Sequence, residues 1–263
     1  MPYAGYKDKN VEGSYFAPGA IGGSPQRQDI SPSVANILCM PFNGDYIDKT
    51  GNHTMAPRDS TMTPNIGYNG ESQVFIERGS NDSLRTGAGE PAHAIGGTDP
   101  VTFGFFFRPT YLASVQYFCC SSRNDGSGFC NYGLRRVGGD AGTWYFIGGA
   151  GIGASTTLVD PGYIDDRGIH WLHVAFRCDS GANTGAFFIN GTKLWEGAIA
   201  ARKTAEASDL FNLNEVSSTT NNPQVEGYIG NLFVTDSALS DTNIKLLSDQ
   251  SFGHASPYVA GGI

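Results

Sequence analysis

Apolar and polar positions alternate along most of this chain. From Trp171 to Cys178, the residues Leu172, Val174, Phe176 and Cys178 fall on one face. Trp171, His173, Ala175 and Arg177 fall on the other. A period of two is the signature of a β-strand. The same alternation puts Val101, Phe103, Phe105 and Phe107 on one face of a strand over 101–108. Patterning and turn residues predict further strands over 35–42, 73–77, 83–86, 115–121, 129–136, 143–148, 170–178, 185–189, 192–196 and 227–235. Between two of them, Asn190-Gly191 is the pair that a two-residue type I′ hairpin requires, because both central positions need positive φ. One short helix is expected over 243–249, with Ser240 as its N-cap and Asp241 favourable in its first turn. Many short strands and a single helix predict an all-β, two-sheet antiparallel sandwich or jelly roll. Phe103, Phe105, Val174, Phe176, Phe188 and Leu232 are its expected core.

Composition agrees with that reading. Charged residues make up 16% of the 263, and glycine occurs 36 times, about twice the usual share of ~7%. Tight turns between short strands use such a composition. The formal net charge of −8 disfavours nucleic acid as a partner, which calls for a basic surface. No apolar stretch approaches the ~20 residues of a membrane-spanning helix, so no membrane insertion is expected. Cys39, Cys119, Cys120, Cys130 and Cys178 are odd in number and irregular in spacing. They fit neither a zinc site nor a disulfide framework and read as free thiols, with one bridge from Cys130 to the 119–120 pair left open.

Residues 1–34 stand apart. They are rich in Gly, Pro, Ser and Tyr, without periodicity, and read as an extended N-terminal arm before a domain over 35–250 and a tail over 251–263. Such a segment cannot order itself and is expected to lie on its own domain or on a neighbouring subunit. The first residues lack the apolar core of a secretory signal. Either the chain works where it is made or a signal has been removed.

Four segments, in order, carry a family resemblance. They are LCMPFNGDYIDKTG (38–51), VTFGFFFRPT (101–110), WLHVAFRCDSGANTGAFFINGTKLW (171–195) and GYIGNLFVTDSALSDTNIKLL (227–247). Together they resemble the laminin-G-like branch of the concanavalin A-like lectin/glucanase superfamily. The resemblance implies a two-sheet antiparallel jelly roll and leaves function open, because that fold hosts lectins, glycosidases and structural modules. It also implies a calcium site at Asp45 and Asp48. Here Gly230 and Asn231 stand where the family often has an acidic ligand, and Asn43 stands where Asp is common, so any calcium binding is expected to be weak. The alternative is that Asp45, Asp48 and Asn52 shape a turn.

Candidate chemistry is sparse. His170 and His173, three apart in a strand, point to opposite faces and cannot share a metal. Glycosidases of this superfamily carry alternating carboxylates on one strand, where an acid and a nucleophile flank the bond. No acidic residue here has a partner at that spacing. The glycine run GGAGIG (148–153) is followed by no helix and reads as a strand connection. The expectation is a non-enzymatic protein without a cofactor. Its first reading is a structural or assembly component of a virion, such as a capsid decoration or tail-fibre protein, which joins other subunits or capsid proteins through residues 1–34. The alternative is an extracellular, lectin-like module. Its sugar would stack on Trp144, Tyr145, Tyr163 or Trp195 and bond to Asn183.

Overall fold

A computed structural model describes residues 35–42, 44–57, 62, 64–66, 72–76, 83–87, 90, 95–112, 115–123, 130–137, 143–149, 155–158, 171–181, 183–214 and 225–252. Its strands are β1 (Leu38–Met40), β2 (Ala56–Pro57), β3 (Pro64–Ile66), β4 (Ser72–Ile76), β5 (Leu84–Arg85), β6 (Val101–Leu112), β7 (Val115–Arg123), β8 (Cys130–Val137), β9 (Thr143–Gly149), β10 (Ser155–Thr157), β11 (Leu172–Cys178), β12 (Thr184–Ile189), β13 (Thr192–Ala198), β14 (Asp209–Leu213) and β15 (Val225–Thr235). They form two sheets. The first runs β13-β12-β11-β6-β15-β4-β3, with β1 also paired to β15, and the second runs β10-β9-β8-β7-β14-β5-β2. The pairings that define both sheets are antiparallel. This is the two-sheet jelly roll that the sequence predicts. Patterning missed β2, β3, β10 and β14, which are short strands or strands buried on both faces. The arm over 1–34 lies outside the described residues.

The inward faces of the two sheets meet in one core. Phe103, Phe105, Phe107, Phe176 and Phe187 come from the first sheet, and Phe118, Tyr132, Trp144, Phe146 and Phe211 from the second. The rings interlock across the interface. Phe118 stacks on Trp144 with centroids 4.8 Å apart and lies 5.4 Å from Phe105 and 4.9 Å from Phe107. Phe146 stacks on Phe176 at 4.6 Å. Aromatic pairs at these distances add about 0.5–1.5 kcal/mol each beyond their buried area. The six expected core residues are all buried, with Phe188 on the opposite face of the first sheet, under the helix.

That helix, α1 (Asp241–Phe252), extends past the predicted 243–249 and takes in the first two residues of the expected tail. Ser240 Oγ accepts the Asn243 N–H at 3.2 Å, which makes it the N-cap. Ile244 and Leu247 seat the helix on the outer face of the first sheet, against Ala175, Ala186, Phe188 and Phe233. The Asn190-Gly191 turn has φ of 50° and 73°, as type I′ demands. A side chain at Gly191 would meet the Lys245 backbone at 2.9 Å, so the hairpin tip is also a seat for the helix.

The loop after β1 holds Asp45 and Asp48 in a hydrogen-bonded turn. Asp48 is buried, and its carboxylate is filled by donors. Oδ1 accepts the N–H groups of Cys39 (2.9 Å) and Thr50 (3.0 Å). Oδ2 accepts Thr50 Oγ1–H (2.6 Å), the His53 N–H (3.0 Å) and His53 Nδ1–H (3.0 Å). Asp45 Oδ1 accepts the Ile47 N–H at 3.1 Å, and its Oδ2 lies 3.6 Å from Lys49 Nζ. A cation at Asp48 would have to displace the donors that close the turn. Asp45 and Asp48 both accept backbone N–H groups of this turn. No cluster of three or more potential metal-ligating side chains occurs among the described residues. Burial raises the Asp48 pKa, but hydrogen bonds from His53, Thr50 and Cys39 outweigh it and bring it down to about 2.

Four outcomes follow from this packing. Phe118→Ala should lower the unfolding free energy by about 3–5 kcal/mol in a denaturant titration, since it opens the centre of the aromatic interface. Asp48→Asn should cost about 2–3 kcal/mol, because it leaves buried N–H groups without a charged acceptor. The folded Asp48 pKa lies below the unfolded value of about 3.9. The stability it supplies is therefore complete above pH ~4 and is lost as pH falls through about 2, a slope that the Asn variant should lack. Calcium or a chelator should leave the melting temperature of the wild type unchanged.

Candidate functional site

Strand alternation that sends one set of aromatics into the core sends another set outward. In β9, Trp144 and Phe146 point inward, so Tyr145 points out. Its cross-strand neighbours are Arg135 on β8 and Thr157 on β10, and Arg135 in turn faces Tyr117 on β7. The Arg135 guanidinium lies over the Tyr145 ring, 5.0 Å from its centroid, and donates to Ser155 Oγ at 3.1 Å. Tyr117 packs on a small buried cluster of Cys130 and Ile147. Tyr117, Arg135, Tyr145 and Ser155 are all partly exposed, and Thr157 is exposed. The result is a row of aromatic surface, guanidinium donors and hydroxyls across β7-β8-β9-β10. A guanidinium anchored on a ring and a hydroxyl is held in one orientation, with little rotamer freedom left to lose on binding.

A second row crosses the outer face of the first sheet. Phe75, Tyr228 and Arg108 are register partners on β4, β15 and β6, and Trp171 adjoins the start of β11. Phe75 and Tyr228 have centroids 5.0 Å apart. The Arg108 guanidinium lies 4.4 Å from the Tyr228 centroid and 5.1 Å from that of Trp171. Here the rings cover the guanidinium from two sides. Phe75, Arg108, Trp171 and Tyr228 are all partly exposed.

The expected sugar-binding residues scatter. Trp144 has no accessible surface, stacks on Phe118 and lies tilted against Phe187, so it is a core residue and cannot stack on a ligand. Trp195, on the edge strand β13, lies over Phe176 at 6.4 Å and packs partly against the core. Asn183 is exposed in the turn before β12, on the other sheet from Tyr145. Tyr163, like His170, lies outside the described residues. Tyr145 alone sits in a polar and aromatic constellation. Its companions Tyr117 and Arg135 were not among the expected residues. The signal was parity: each lies at an outward position of a strand whose neighbouring residues enter the core.

Cys39, Cys130 and Cys178 are buried. Burial pushes the Cys178 thiol up to about 12, a shift that the nearby Arg202 charge opposes and Asp179 reinforces. At pH 7 it is a neutral packing residue without nucleophilic character.

The carboxylates that do gather are neutralised. Arg177 bonds to Asp179 Oδ1 (2.9 Å), Asp241 Oδ1 (2.6 Å) and Glu196 Oε1 (3.3 Å), while Lys193 bonds to Glu196 Oε2 (2.6 Å) and Asp241 Oδ2 (2.9 Å). Hydrogen bonds from Lys193 and Arg177 hold the Asp241 carboxyl below its ordinary pKa. A glycosidase acid needs its pKa raised, so this cluster ties β11 and β13 to the start of α1 and gives no sign of catalysis.

Comparison with known proteins agrees with the geometry. A family model described as the concanavalin A-like lectin/glucanases superfamily matches residues 78–245. No match was found among curated proteins. Solved structures share the fold at low identity. Domain 4 of AbnA, a GH43 extracellular arabinanase from Geobacillus stearothermophilus solved with arabinotriose, superposes with a TM-score of 0.60 at 17% identity, over 81% of this chain and 97% of that one. The binding domain of botulinum neurotoxin DC, solved with rat synaptotagmin II, gives 0.60 at 11% identity over 81% of this chain and 51% of that one. A botulinum neurotoxin type C structure, whose cell entry depends on two ganglioside molecules, gives 0.58 at 12% identity, over 82% and 52%. This chain thus spans about half the length of the neurotoxin chains. Two antiparallel sheets, an interlocked aromatic core and a family match over residues 78–245, which hold most strands of both sheets, make this chain a member of the concanavalin A-like lectin/glucanases superfamily.

Proposed function

We propose that this chain is a non-catalytic binding module that holds a glycan on the outer face of its second sheet, around Tyr117, Arg135, Tyr145, Ser155 and Thr157. One observation carries the reading: the Arg135 guanidinium is oriented by Tyr145 and Ser155 at a partly exposed row flanked by further hydroxyls. Sugars present axial C–H faces to aromatic rings and hydroxyls to planar donors, and this row supplies both. Structural neighbours support it. One is an arabinanase domain in complex with arabinotriose and another is a neurotoxin that interacts with gangliosides. A module of this kind works where glycans are displayed, on an extracellular enzyme or on a particle that meets a cell surface, and needs no cofactor.

The second reading is an assembly component that joins another subunit or a capsid protein through residues 1–34, which lie outside the described residues. Removing residues 1–34 should leave glycan binding intact. It should also abolish self-association in sedimentation if the arm joins subunits.

Titration with arabinotriose and with ganglioside oligosaccharides, followed by calorimetry, tests the glycan site. Tyr145→Ala and Arg135→Ala should each weaken binding about tenfold, the equivalent of roughly 1.4 kcal/mol, while Trp171→Ala leaves it unchanged. Equal affinity in all three variants and the wild type, or loss only in the Trp171 variant, would remove the second sheet from consideration.

A further inference from the structure

Arg202 is 7% exposed and sits where three pieces of backbone meet. Its loop is bound to 95–100 through the Gly97 N–H and Lys203 carbonyl at 2.8 Å, and to β10 through the Ala200 N–H and Thr156 Oγ1 at 2.6 Å. Gly148, near the end of β9, completes the enclosure. A Cβ there would stand 3.4 Å from Arg202 Cγ and 2.9 Å from the Phe146 ring, so the glycine makes room for the arginine stem.

The guanidinium is under-used. Its Nη2 donates to the Asp99 carbonyl, while Nε and Nη1 have no acceptor among the described residues. It also lacks a counter-charge there. The Asp99 carboxylate accepts the Gly96 N–H at 3.3 Å, and the Asp179 carboxylate is taken by Arg177 and Thr184. The Cys178 thiol, close enough to feel the charge, stays neutral. Arginine does not deprotonate in proteins, so the charge persists. A buried charge without a partner is costly, and water can fill N–H groups but cannot neutralise them. The net charge of −8 repels anions from the surface at large, so an anion held here would be held by this side chain and its enclosure.

We propose that Arg202 is the recognition point for a small oxyanion of the carboxylate type, supplied either free or by an acidic sugar. The buried guanidinium provides charge-assisted hydrogen bonds from Nε and Nη1. This site is separate from the Arg135–Tyr145 row and stands whether or not that row binds sugar.

Thermal unfolding of the full chain in zwitterionic buffer, with sodium acetate, sodium sulfate, sodium glucuronate or neutral glucose added, provides the test. Wild type should gain melting temperature with acetate and glucuronate beyond any gain in Arg202→Met, and glucose should change neither. Without added anion, Arg202→Met should melt at or above the wild type, because it removes an uncompensated buried charge. Glucuronate acting at lower concentration than acetate would identify an acidic sugar as the source, and equal potency a free anion. An identical response of wild type and variant would overturn the proposal. Should the variant not fold, the Arg202 Nε–H resonance of the wild type decides. A saturable shift with acetate and none with glucose supports the site, and no shift with acetate refutes it.

Discussion

The contact on which this molecule depends is the aromatic interface between its sheets, centred on Phe118. That ring stacks on Trp144 in its own sheet and meets Phe105 and Phe107 of the other. Because side chains alternate strictly along a strand, committing these rings to the interior fixes the facing of every residue beside them. Arg135 and Tyr145 face outward because Leu134, Trp144 and Phe146 face inward. Arg108 and Trp171 face outward because Phe107 and Leu172 do not. The surface chemistry of both sheets is thus set by the register of the core.

The sequence shows this constraint where alternation is clean. The strands at 101–108 and 171–178 are visible from parity alone, and so is the Asn190-Gly191 hairpin, since few residue pairs tolerate two positive φ values. Parts of the fold were hidden for physical reasons. β14, DLFNL, is buried on both faces, so it shows no alternation. β10 lasts three residues and is recognisable only through its pairing with β9. Arrangement of the site was harder still. Trp144 and Tyr145 look equivalent as adjacent aromatics, yet neighbours in a strand cannot share a surface, and Phe146 decides which of them goes inside. Asp48 carries a carboxylate that suits calcium in sequence. Only the fold shows that Cys39, from a neighbouring strand, and His53 already occupy it.

Electrostatics divide the charged side chains into three uses. Asp48 and the Arg177–Lys193–Glu196–Asp241 cluster are satisfied by their partners and serve architecture. Arg135 is held by a ring and a hydroxyl at a partly exposed row, an arrangement suited to recognition. Arg202 is buried with donors to spare. The fold is common to lectins, hydrolases and inert modules, so the function of this member rests on these second and third uses.

The central claim is that recognition occurs on the outer face of the second sheet. Chemical-shift mapping of isotope-labelled protein during titration with arabinotriose tests it most directly. The account predicts saturable perturbations clustered at Tyr117, Arg135, Tyr145, Ser155 and Thr157, with the first sheet unaffected. Perturbations confined to Phe75, Arg108, Trp171 and Tyr228, or none with either arabinotriose or ganglioside oligosaccharides, would contradict it.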